Sequence, residues 1–96
     1  MAKAFFNTRE IVKTEILRLR DVVKLSIVNT GSNPLSVNNN NTISIIPAAS
    51  SGTPIGSYLL ECQGHCFDVE LRLDFAPGTG SKAILETFIL KDDAKN

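Results

Sequence analysis

The chain has 96 residues, ten Lys and Arg against ten Asp and Glu, and a formal net charge of zero at pH 7. It has room for one hydrophobic core, and its 43% apolar content can fill one. Scattered basic residues with no Trp, one Tyr and five Phe argue against a nucleic-acid surface, and no apolar run approaches the ~20 residues of a spanning helix.

Residues 1–14 are expected to form an N-terminal arm or first strand, 15–91 a β-sandwich domain and 92–96 a polar tail. Ala4-Phe5-Phe6 sets two large aromatics near an otherwise polar terminus. Two readings stand: they cover one end of the core, or they form an arm that docks on a neighbouring subunit. Ile11, Val12, Ile16, Leu17 and Leu19 fit helical spacing, but Glu15 to Arg20 also alternates, and a strand from Glu15 to Leu19 is preferred.

Val22 to Asn29 is rich in β-branched residues and sets Val23, Leu25 and Ile27 on one face, which predicts a strand. Thr30-Gly31-Ser32-Asn33-Pro34 reads as a turn, since glycine permits positive φ and proline fixes its own. Pro34 to Asn38 reads as a short returning strand. The four asparagines Asn38 to Asn41 suit a turn with left-handed residues, and Thr42 to Ile46 gives the next strand, ended by Pro47. From Pro47 to Gly56 small residues and turn formers predict an exposed loop.

Ser57 to Cys62 is the next expected strand, with Gln63-Gly64-His65 as a tight connection to the one after it. There Phe67, Val69, Leu71, Leu73 and Phe75 point one way, and Asp68, Glu70, Arg72 and Asp74 the other, as in a strand with one wet face. Ala76 to Ser81 breaks it, a hairpin turn is expected at Gly78-Thr79-Gly80-Ser81-Lys82, and Ala83 to Leu90 is the last strand. That glycine-rich run lacks phosphate-loop spacing and leads into a strand, not a helix. Six or seven short strands joined by Gly, Pro and Asn turns indicate an all-β fold, a small antiparallel sandwich of immunoglobulin-like or jelly-roll-like type.

Chemistry could reside in Cys62-Gln63-Gly64-His65-Cys66, where two thiols and one imidazole are potential metal ligands. A closed zinc site needs four ligands, so a carboxylate such as Glu61 or Asp68, or a second subunit, would have to complete it. A cross-strand disulfide would require the two Cβ atoms to lie ~4 Å apart. The preferred reading is structural, with Cys62 and Cys66 flanking a turn and His65 at its tip. Catalysis by either thiol would need His65, the sole imidazole, brought into line by something that orients it. The carboxylates Asp68, Glu70 and Asp74 alternate with Arg72 as a solvated face. No catalytic set and no cofactor site is expected.

The run Ile27 to Asn38, with Asn29-Thr30-Gly31 followed by Pro34-Leu35-Ser36-Val37, resembles a strand-turn-strand signature of immunoglobulin-like and related β-sandwich modules. Together with Thr42 to Ala48 and Val69 to Phe75, the layout is similar to small β-sandwich proteins encoded among bacteriophage structural genes. That resemblance implies a non-enzymatic virion component of minor capsid, decoration, spike-base or head-tail type, made in the host cytoplasm without a signal peptide. It would assemble with itself or with larger viral structural proteins, without nucleic acid or membrane insertion. Phe5, Phe6, Pro47, Ile55 and Tyr58 are the expected contacts. The alternative is a free-standing module that binds a glycan or peptide through its loops.

Overall fold

In a computed structural model, which describes residues 2–49, 56–61 and 65–92, the chain is all-β. The described residues form seven antiparallel strands in one sheet: β1 (Ala2–Ile11), β2 (Glu15–Asn29), β3 (Leu35–Asn39), β4 (Thr42–Ile46), β5 (Ser57–Glu61), β6 (Phe67–Phe75) and β7 (Ala83–Asp92). The order is β1-β7-β2-β6-β3-β4, with β5 also paired to β2.

β2 organises the whole. The two segments expected as separate strands, Glu15 to Leu19 and Val22 to Asn29, are one strand of 15 residues. Its register shifts between Leu19, opposite Val69, and Val22, opposite Phe67, so Arg20 and Asp21 face the single residue Asp68. Asp21 absorbs this bulge with φ 57°, a left-handed conformation that aspartate tolerates better than most residues. The Asp68 carboxylate accepts from the displaced Asp21 N–H at 3.1 Å.

Two shifts of register change the phase of the strand, this bulge and a second irregularity between Val22 and Lys24. Leu17 faces inward before the first, Val22 between the two, and Leu25 and Ile27 after the second. Val22 therefore holds the buried position expected of Val23, which is half-buried. Because bulges bend and twist a strand, the two halves of β2 serve two parts of a curled sheet around one core. The first half pairs with β6, which carries β3 and β4; the second lies between β7 and β5. Leu17, Leu71, Leu73, Val37 and Leu35 from one part pack in the same cluster as Leu25, Ile27, Leu85 and Ala83 from the other.

Three expected hairpins are absent. β5 and β6 do not pair with each other; they follow one another along the same edge of β2, where Lys24 faces Glu61 and Val22 faces Phe67. Ala76 to Lys82 is a crossing between β6 and β7, which are separated by β2. β3 likewise returns beside β6 and not beside β2. A turn-forming composition reports that the chain reverses, but not which strand it then joins. The hairpin at Asn40-Asn41 does form: Asn39 faces Thr42, and the two loop residues have φ 51° and 69°, as a two-residue turn with left-handed residues requires.

The Asn29-Thr30-Gly31 signature ties the two long crossings together. Asn29 is fully buried; its Nδ2 donates to the carbonyls of Asn33 (2.8 Å) and Ile46 (3.2 Å), and its Oδ1 accepts from Gly31 N–H (3.1 Å). The 30–34 turn lies against the 76–82 crossing through Thr30 N–H to Lys82 C=O and Ser32 N–H to Gly80 C=O, both 3.0 Å. Asn33 Nδ2 adds bonds to Thr79 C=O and Ser81 Oγ. A Cβ at Gly31 would collide with the Gly80 carbonyl oxygen and the Lys82 amide, so only glycine permits this approach.

Candidate assembly surface

β1 pairs along its whole length with β7, from Ala2 opposite Asp92 to Ile11 opposite Ala83. β2 accompanies β7 only as far as Ile89, so the far end of the β1–β7 ribbon runs past the rest of the sheet.

Alternation assigns the ribbon's two faces. Ile11, Ala83, Leu85 and Thr87 look onto the core. Phe5 is in register with Ile89, which packs against the core from its edge, and is 47% exposed. Arg9 reaches Glu15 at 2.7 Å across the start of β2.

On the outer face Phe6 lies opposite Phe88, which lies opposite Lys24. The two rings meet edge to face, centroids 5.0 Å apart and planes at 82°, a favoured aromatic geometry. They remain 59% and 39% exposed, and Leu59 on β5 is 54% exposed. Phe6, Phe88 and Leu59 line a shallow groove floored by Ser26 and Ser57 and flanked by Lys24 and Glu86.

A second exposed apolar set lies on the other part of the sheet. Ile16 faces Arg72, Arg72 faces Asn38 and Asn38 faces Ile43, with Ile45 beside it. The three isoleucines are interleaved with the ion pairs Arg18–Glu70 (3.4 Å) and Arg72–Asp74 (3.1 Å). An open polar recess borders them, lined by Asn38, Asn40, Asn41, Glu70 and Arg72.

The residues expected to act together are dispersed. Phe5 and Phe6 project to opposite faces of the ribbon, and Pro47 is exposed at the end of β4. Tyr58 is on the inner face, packed against the core, and its hydroxyl accepts from Asn39 Nδ2 at 3.2 Å. Ile55 and Cys62 lie outside the described residues. His65 and Cys66 are exposed, and the Cys66 thiol faces Asp21 Oδ1 at 3.9 Å. Among the described residues no group of three potential ligands is poised to hold a metal.

Phe88 and Leu59 were not singled out from the sequence, although period two could have found them. In Ala83 to Leu90 the even positions carry Ile84, Glu86 and Phe88, so the glutamate marks Phe88 as belonging to the wet face.

No protein family and no curated protein matches the chain. Among solved structures it is similar to a de novo designed double-stranded β-helix, at 9% identity and TM-score 0.45, over 91% of this chain and 99% of that one.

Proposed function

We propose that this chain is a non-enzymatic assembly protein, a structural component of a virion, that works by burying its β1–β7 ribbon against other protein. The observation that carries the assembly role is the Phe6–Phe88 pair, an aromatic contact whose two rings both remain exposed, with Phe6 on a strand that buries only Ile11 among its described side chains. Ordering a residue costs ~1–2 kcal/mol in backbone entropy, and an edge strand whose described side chains are exposed apart from Ile11 recovers little of it without a further surface. The virion setting comes from the resemblance of the strand layout to phage structural modules. A glycan site at the loops would want an exposed ring, and Tyr58, the one tyrosine, is turned inward and bonded to Asn39.

Light scattering coupled to size exclusion tests the assembly role. A mass above 10.4 kDa that rises with concentration, and that falls when Phe6 and Phe88 are both changed to Ala, supports it. An assembly mass indifferent to both substitutions would refute the role given to this ribbon.

A further inference from the structure

We infer that the partner of β1 is β1 of a second copy, joined edge to edge about a two-fold axis at Asn7 so that the sheet continues from one chain into the next. The inference rests on the assembly reading and names its seam.

Among the described residues no strand pairs with the outer edge of β1, and the backbone groups that face it can be read from the bonds around it. Thr30 N–H donates to Lys82 C=O one step beyond the Asn29–Ala83 pair, so β7 exchanges bonds with β2 at its even-numbered residues. It therefore turns its odd-numbered residues to β1, whose matching partners are Asn7, Arg9 and Ile11. The amides and carbonyls of Phe6, Thr8 and Glu10 consequently point along the open edge. The strand offers no proline or bulge to blunt that edge, and its charges at Arg9, on the face of Ile11, and at Glu10 are paired within the chain, with Glu15 and Lys82.

A two-fold axis perpendicular to a sheet keeps side-chain direction, so two antiparallel copies can meet only with one residue opposite itself. Centring on Phe6 would set Lys3 opposite Arg9, a like-charge pair directly across the strands, which is destabilising. Centring on Asn7 removes that clash. It sets Phe6 opposite Thr8, an aromatic to β-branched pair, and Arg9 opposite the ring of Phe5, a cation–π arrangement. It also leaves Phe6, Thr8 and Glu10 bonding across the seam through backbone groups already aimed there.

The test uses the full chain with Cys62→Ser and Cys66→Ser. At the axis Asn7 would occupy a non-hydrogen-bonded pair with Cα atoms about 4.5 Å apart, within disulfide range. Asn7→Cys is expected to oxidise to a covalent dimer as the main product, whereas Phe6→Cys, two residues off register, is not. Independently, Thr8→Pro removes a donor from the open edge and none from the β7 ladder, so the far-ultraviolet circular dichroism should persist while the dimer is lost at concentrations where the parent chain dimerises. Cross-linking at Phe6 and not Asn7 would overturn the register. A parent chain that self-associates while Thr8→Pro still does, with no cross-link at Asn7, would overturn the seam but leave assembly standing. A parent chain that stays monomeric up to millimolar concentration would overturn the second copy as partner.

Discussion

β6 and β1 are antiparallel strands of nine and ten residues, and they are held for different reasons. β6 has β2 on one edge and β3 on the other, and its alternation buries Leu71 and Leu73 completely while Asp68, Glu70 and Arg72 stay exposed. Among the described residues β1 has β7 alone beside it, and its charges and aromatics are spread over both faces. One strand is specified by the core it helps to build. The other is specified by hydrogen bonds to a neighbour, and its described side chains apart from Ile11 stay exposed.

The sharpest way to break this comparison is to empty the core that β6 helps to build and then to loosen the crossings around it. Leu71→Ala should cost about 2–5 kcal/mol, the usual range for a fully buried leucine, read as a lower urea midpoint at unchanged slope. Asn29→Ala should follow at about 3 kcal/mol, because Gly31 N–H and the carbonyls of Asn33 and Ile46 lose their partner, and one orphaned buried group costs ~1–3 kcal/mol. Gly31→Ala should cost about 1–3 kcal/mol through overpacking, since the 30–34 turn must part from the 76–82 crossing. Its signature would be faster amide exchange at Thr30 and Ser32, whose bonds to Lys82 and Gly80 span that contact.

The same contrast explains what could be read in advance. The strand from Phe67 to Phe75 was legible because its apolar and polar residues obey a period of two over its full length. The class of fold followed from many such segments, and the left-handed turn at Asn40-Asn41 followed from asparagine's tolerance of positive φ. Strand partners were not legible. The continuity of β2 depends on two shifts of register, one of them the bulge at Asp21, whose cost is offset by a carboxylate 47 residues away, and no local pattern announces such a contact. The assembly surface was half legible: Phe6 stood out as an aromatic near a polar terminus, but its partner Phe88 came from the far end of the chain.

The smallest effect on folding is the most informative for function. Phe6→Ala removes an exposed cross-strand pair, a contact worth ~0.2–1 kcal/mol, so its loss from the monomer should fall below about 1 kcal/mol. The measurement is urea unfolding at protein concentrations low enough that the parent chain is monomeric, so that association does not add to apparent stability. A loss of two or more kcal/mol there would mean that Phe6 closes one end of the core, the other role its position near the terminus allows. A loss within the small range, together with weakened association at high concentration, would assign the ring to a surface that folding does not use.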